Sequence, residues 1–135
     1  MNSVSGETKI SDVMTPLPFT ILHSETLEAA KHVMYEKGIR HLPVIDSDKV
    51  IGVLTDRDMK LAFGIGKGLL KASEILVEDA CVFEPYSVTP DTPLKKVLEN
   101  MLERHIGSAL IVDGGLPAGI FTLHDAAKFL LEQTQ

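Results

Sequence analysis

The segment Gly52-Val53-Leu54-Thr55-Asp56-Arg57-Asp58 returns 67 residues later as Gly119-Ile120-Phe121-Thr122-Leu123-His124-Asp125. The same offset aligns Asp12 with Asp79, Pro18 with Pro85, Leu27 with Leu94 and Met34 with Met101. It also aligns Ile39 with Ile106 and Asp46 with Asp113, with no gap. The identities are sparse, but they fall on turn, core and polar positions in one register. That is how an internal duplication reads.

Each copy has the same order of elements around that segment. A short extended piece comes first, Phe19-Thr20-Ile21 or Tyr86-Ser87-Val88. An amphipathic helix follows, over about Thr26–Lys37 and Pro93–Arg104. In the second copy Leu94, Val97, Leu98, Met101 and Leu102 form an i, i+3, i+4, i+7, i+8 stripe. Pro93 suits the first turn of that helix, with Thr92 as its cap. Two short apolar strands come next: Leu42–Ile45 with Val50–Leu54, then Ala109–Val112 with Ala118–Phe121. Asp46-Ser47-Asp48-Lys49 and Asp113-Gly114-Gly115 join them with hairpin chemistry. A closing helix runs from Asp56 to about Phe63, and from Leu123 to about Leu131. The expected fold is therefore α+β, two tandem β-α-β-β-α repeats over residues 8–66 and 74–135. Each is too short to bury its sheet and helices alone, so the two are expected to share one core as a single globular module. Gly64-Ile65-Gly66-Lys67-Gly68 reads as a connector. Its GxGxG spacing follows a helix instead of a strand, which argues against a phosphate loop.

The Gly-x-x-Thr-x-x-Asp motif admits two readings. Thr-x-x-Asp before a helix resembles a capping box, in which the hydroxyl caps the third helical amide and the acid reaches back. Gly52 and Gly119 would then simply permit close backbone packing. The other reading is a nucleotide site. The motif occurs twice, the helix N-terminus favours phosphate, and Arg57 or His124 places a potential cation in the same turn. Thr55 and Thr122 would hold phosphate oxygen, and Arg57 would pair with its charge. Asp58 and Asp125 would accept from the ribose hydroxyls, since an ionised carboxylate is acceptor-only. Arginine stays charged throughout the physiological range, whereas histidine is the side chain that changes charge near neutrality. The Thr55/Asp58 copy is therefore expected to hold phosphate more strongly at pH 8.

The ordered set Ile10-Ser11-Asp12-Val13-Met14-Thr15-Pro16, Gly38-Ile39-Arg40-His41-Leu42-Pro43-Val44-Ile45-Asp46 and Gly52–Asp58 resembles a CBS domain, the regulatory module named after cystathionine β-synthase. The second copy resembles a degenerate one, with Val77-Glu78-Asp79-Ala80-Cys81 and His105-Ile106-Gly107-Ser108-Ala109-Leu110 in the first two places. The likeness spans roughly residues 10–132. It implies two repeats related by a pseudo-twofold axis with two clefts between them. It also implies ligands that contain adenosine (AMP, ADP, ATP, NAD or S-adenosylmethionine), and pairs that dimerise into a flat disc. Carried over residue by residue, it implies Thr55 and Asp58 at one site and Thr122 and Asp125 at the other. Backbone near Thr20, His41, Ser87 and Ser108 would hold the adenine.

Composition narrows the function classes. Apolar residues make up 44% and aromatics 5% of the 135 residues, so the core must be aliphatic. A single cysteine, Cys81, excludes a disulfide within the chain. The polar start, Met1 to Lys9, does not read as a secretory signal, and no apolar run reaches the length expected of a membrane span. A cytoplasmic protein is expected. A net charge of −6 and the lack of a cluster of basic residues argue against nucleic acid as a partner. His23, His32 and His105 lack partners at metal-ligand spacing and are expected at the surface, as are Glu7, Glu25 and Glu28. Cys81 aligns with Met14 and is expected as a small buried side chain, whereas Met34 and Met101 are expected in the core. No acid pair, triad or Schiff-base lysine emerges, so an enzyme is not expected. No cofactor is required; the adenine nucleotide is a regulatory ligand. The leading expectation is a homodimeric sensor that passes its state to an effector protein. The alternative is a ligand-blind dimerisation scaffold, in which Thr-x-x-Asp only caps helices.

Overall fold

The computed structural model describes residues 8–17, 19–66 and 71–134. Glu7 and the rest of the first seven residues, Pro18, Lys67 and Gly68 of the connector, and Gln135 lie outside them. In chain order the elements begin with β1 (Thr15–Pro16), β2 (Ile21–Leu22), α1 (Leu27–Lys37), β3 (His41–Asp46), β4 (Lys49–Thr55) and α2 (Asp56–Gly66). They continue with β5 (Val82–Phe83), β6 (Ser87–Val88), α3 (Leu94–Arg104), β7 (Ser108–Asp113), β8 (Leu116–Thr122) and α4 (Leu123–Gln133). Two 3-10 turns, Ile10–Asp12 and Val77–Asp79, precede β1 and β5. Among the described residues the fold is mixed α+β with two sheets and four helices, as the repeat pattern implies.

The hairpin is the spine of each copy. Ser47 and Asp48 sit at φ 50° and 70°, and Gly114 and Gly115 at φ 62° and 86°. Two consecutive left-handed residues define a type I′ turn, whose twist matches that of the flanking strands. This fixes the register, with His41 opposite Thr55 in β3·β4 and Ser108 opposite Thr122 in β7·β8. Each hairpin also carries an irregularity at the same place, after Val44 and after Ile111.

The packing units are not the sequence repeats. One unit holds Pro18–Pro85; the other combines residues up to Leu17 with those from Tyr86 onward. The sheet of the first runs β2-β3-β4-β5, and that of the second β1-β8-β7-β6. In each, the parallel neighbour (β2 or β6) comes from the same repeat. The antiparallel edge strand comes from the opening segment of the other repeat: β5 on β4, and β1 on β8. The bounds 8–66 and 74–135 therefore mark the repeat in sequence, whereas packing regroups the opening segments.

Glycine makes this regrouping sterically feasible. A Cβ on Gly52 would lie 2.7 Å from the Val82 carbonyl oxygen and 3.3 Å from Cys81 Sγ. One on Gly119 would run into the side chain of Met14, with Cγ and Cε at 3.0 Å. Met14 and Cys81 occupy equivalent positions, so the same close approach is built twice.

The unit of residues 18–85 has an aliphatic core of Leu27, Ala30 and Met34 from α1, Leu42, Val44 and Leu54 from the hairpin, and Met59, Ile75 and Val77. The other unit's core holds Ile10, Leu94, Val97, Met101, Ala109, Ile111 and Phe121. Each fully buried aliphatic side chain contributes about 1.5–3 kcal/mol.

Several local expectations are corrected. The first extended piece pairs over Ile21–Leu22 instead of Phe19–Ile21, with Phe19 packed against the core, whereas in the second copy Ser87–Val88 pairs within the expected stretch. Thr92 does not cap α3. Pro93 takes the N-cap position, equivalent to Thr26 in α1, where the hydroxyl accepts from Ala29 N at 3.1 Å. Leu94 N is satisfied instead by Thr8 O at 2.8 Å. Leu102, at the end of the stripe, is 77% exposed. Gly64 and Gly66 extend α2 beyond Phe63, so the connector starts later than its composition implies. Cys81 is half-buried against the core, not enclosed by it.

Two outcomes follow for stability. Gly52→Ala should cost about 1–3 kcal/mol in urea unfolding, because a backbone carbonyl cannot yield. Gly119→Ala should cost less, because the Met14 side chain can move; equal losses would contradict this packing account. His105 terminates α3 at φ 55°, where α1 uses Gly38 at φ 64°. His105→Gly should therefore raise stability by about 1 kcal/mol.

Candidate functional site

In the unit of residues 18–85, β4 ends at Thr55 and α2 begins at once. Thr55 N donates to Asp58 Oδ2 at 2.9 Å, and Asp58 N donates to Thr55 Oγ1 at 3.1 Å. This is a closed capping box, so the acid folds back onto its own main chain. Asp56 N also donates to Arg40 O at 3.0 Å. The helix start therefore offers fewer unpaired amides than the sequence suggests. Two groups stay uncommitted among the described residues: the Thr55 hydroxyl proton and Asp58 Oδ1. Arg57 is exposed beside them and forms no ion pair among the described residues. His41, half-buried, stands opposite Thr55 at the start of β3. β2 runs parallel to β3 with Ile21 level with Val44. Thr20 therefore precedes β2 on the His41 side of the sheet. All five expected residues of this copy gather toward one sheet end.

The second copy is built alike. Thr122 N donates to Asp125 Oδ2 at 2.9 Å, and Asp125 N approaches Thr122 Oγ1 at 3.4 Å. Leu123 N donates to Gly107 O at 3.2 Å. Ser108 stands opposite Thr122, Ser87 pairs with Leu110 on β6·β7, and His124 is exposed. Here, however, the hydroxyl of Thr122 donates to Asp125 Oδ2 at 3.2 Å, and Thr15 Oγ1 donates to Asp125 Oδ1 at 2.8 Å. Both carboxylate oxygens are engaged.

Thr15 went unmarked as a site residue because its partner lies 110 positions away. A signal was available in the duplication: Thr15 aligns with Val82, a hydroxyl against a hydrocarbon. His23 also departs from expectation. It is half-buried, with Nδ1 3.2 Å from Glu78 Oε1 and Nε2 3.6 Å from Asp46 Oδ1. Backbone bonds from His23 N to Ile45 O and from Glu78 N to His23 O hold it there. His32 and His105 are exposed, as expected.

Each unit places a cation over the aromatic ring that precedes Thr20 or Ser87. Lys37 Nζ lies 5.0 Å from the Phe19 ring centre, and the Arg104 guanidinium 4.7 Å from that of Tyr86. Burial pushes the Tyr86 hydroxyl pKa up, and Arg104 opposes this. An open groove of about 630 Å³ lies between α1 and the start of α2, lined by Lys31, His32, Tyr35, Arg40, Asp56 and Met59 among others. None of the ten expected site residues lines it, although Asp56 in its wall lies within the first Thr-x-x-Asp motif.

The CBS domain model matches residues 10–64 and 77–132. An uncharacterized protein of Bacillus subtilis, YlbB, is 32% identical over 130 residues, covering 94% of this chain and 84% of its own. Homoserine O-acetyltransferase of Methanohalobium evestigatum is 28% identical over 134 residues, and there this chain spans only 26% of the relative's length. The crystal structure of CBSX2 in complex with AMP superposes with a TM-score of 0.78 at 27% identity, covering 94% of this chain and 98% of that one. No helix among the described residues is long and apolar enough to cross a membrane.

Two checks follow from the geometry. Thr55→Ala and Thr122→Ala should each lower stability by about 1 kcal/mol in urea unfolding, with no ligand added. No loss in either would contradict the capping bonds. Burial raises the Cys81 thiol pKa, and the carboxylates of Asp58, Glu78 and Asp79 add to that rise. Iodoacetamide should therefore label the folded protein at pH 7.5 more slowly than the urea-unfolded chain. Equal rates would contradict this.

Proposed function

We propose, from the premise that this chain belongs to the CBS domain family, that it is a regulatory module binding an adenosine-containing ligand, and not an enzyme. The observation that carries the reading is the uncommitted donor and acceptor at the Thr55/Asp58 junction beside an exposed guanidinium. Asp58 Oδ1 is free to accept from a ribose hydroxyl while Oδ2 remains in the cap. The Thr55 hydroxyl is free to donate to phosphate, and Arg57 supplies the compensating charge. Capping and binding thus use different atoms of the same two residues. Backbone near Thr20 and His41 lies toward the same sheet end and suits an adenine edge. The AMP complex of CBSX2 supports the ligand class; ADP, ATP, NAD and S-adenosylmethionine share the adenosine. In the second copy Ser87, Ser108, Thr122, His124 and Asp125 hold the equivalent positions, with the Thr122 hydroxyl and the Asp125 carboxylate already engaged.

The mechanism is linkage. A ligand shifts a conformational population only by its differential affinity for the states it distinguishes. Homodimerisation fits the surface of α4, which packs Ala126 and Phe129 against its own core and leaves Leu123, Leu130 and Leu131 at 60%, 59% and 72% exposure. That same stripe, with both acids folded into their caps, favours a second reading. In it the module is a ligand-blind scaffold for a partner.

A thermal shift screen with AMP, ATP, NAD and S-adenosylmethionine separates the two. Ligand at 100 times Kd should stabilise the fold by about 2.7 kcal/mol. Absence of any shift would favour the scaffold. Titration calorimetry at pH 8 should show a larger loss of AMP affinity for Asp58→Ala than for Asp125→Ala, and equal losses would contradict the assigned asymmetry. Leu130→Glu with Leu131→Glu should shift the mass in light scattering from dimer to monomer. An unchanged dimer would remove α4 from the interface.

A further inference from the structure

We propose that Thr15 is an internal ligand for Asp125, which closes the second copy to nucleotide and confines binding to the Asp58 copy. This rests on the reading above, in which the aspartate accepts from a ribose hydroxyl. The two junctions share backbone, cap and register, and they differ in what reaches the carboxylate. Asp125 Oδ1 accepts the Thr15 hydroxyl at 2.8 Å. Asp125 Oδ2 accepts both the Thr122 amide and the Thr122 hydroxyl. Three of the roughly four acceptor sites of the Asp125 carboxylate are therefore used within the chain, which leaves fewer than the two that a ribose diol would fill, and the Thr122 hydroxyl proton that a phosphate would need is also used. In the other copy the residue equivalent to Thr15 is Val82, which carries no hydroxyl, and it is 51% exposed on β5. Asp58 Oδ1 has no partner among the described residues.

The fold supplies the reason for the difference. β1 lies on the edge of β8, with Thr15 opposite Ile120, and β5 lies on β4 with Val82 opposite Val53. Each edge strand thus carries one side chain past the strand-helix junction it borders. Threonine there acts as a surrogate sugar hydroxyl; valine leaves the position open. A vicinal diol fills two acceptor sites, so the bond from the Thr15 hydroxyl must be broken before both ribose hydroxyls can dock on this carboxylate. Because this bond forms within one unit, its donor is present at a fixed local concentration that a dilute ligand must outcompete. Valine is compatible with the backbone at this position, since Val82 already occupies its equivalent.

Titration calorimetry with AMP as the probe tests this. In an Asp58→Ala background, Thr15→Val should tighten AMP binding at least tenfold, and Thr15→Ser should give no gain because it keeps the hydroxyl. In the otherwise native chain, Val82→Thr should weaken AMP binding about tenfold by installing the same bond on Asp58. Circular dichroism melts check that each variant folds. If the native chain binds AMP and neither Thr15→Val nor Val82→Thr changes affinity, the internal ligand is overturned and the sensor reading stands. If no variant and not the native chain binds AMP, both fall.

Discussion

The molecule depends on one geometric constraint, the reciprocal bond across the strand-helix junction. There a threonine and the acid three residues on satisfy each other's backbone amides. The hairpin must deliver its last strand to this point, and the closing helix can start only from it. A helix start with unpaired amides costs stability, and the capping box removes two of them. The same constraint limits function. One carboxylate acceptor site and one hydroxyl lone pair are already used in the fold, so only the remaining sites can meet a ligand. A site built here is necessarily made of leftovers, and its competence turns on what else reaches those leftovers.

The edge strands decide that. Each sheet takes its antiparallel edge from the opening segment of the other repeat, and each opening segment is pressed onto a glycine by Met14 or Cys81. The arrangement brings residue 15 or its equivalent, residue 82, beside a junction encoded far away in sequence. Duplication alone would make two identical sites. Divergence at one edge position makes them chemically different without altering the backbone that presents them. Arg57 and His124 differ as well, a guanidinium against an imidazole at the equivalent position.

Much of this was legible in the sequence because it is local. The 67-residue offset, the hairpin turns and the Thr-x-x-Asp caps all rest on short-range chemistry. The core methionines Met34 and Met101 followed from helical periodicity. What escaped notice was non-local. Two-residue strands such as β1 and β5 carry too little pattern to read, so the regrouping of the opening segments was invisible. The Thr15–Asp125 bond and the His23 position between Glu78 and Asp46 depend on that regrouping. Thr92 misled because the helix register places Pro93 at the capping position and a backbone carbonyl already serves the first amide.

The account holds that one junction per chain retains the free acceptor and donor a nucleotide needs. Native mass spectrometry of the chain with AMP reads this most directly. One bound AMP per chain, absent when Asp58 is alanine, is the predicted result. Two per chain, or none at saturating AMP, would contradict it.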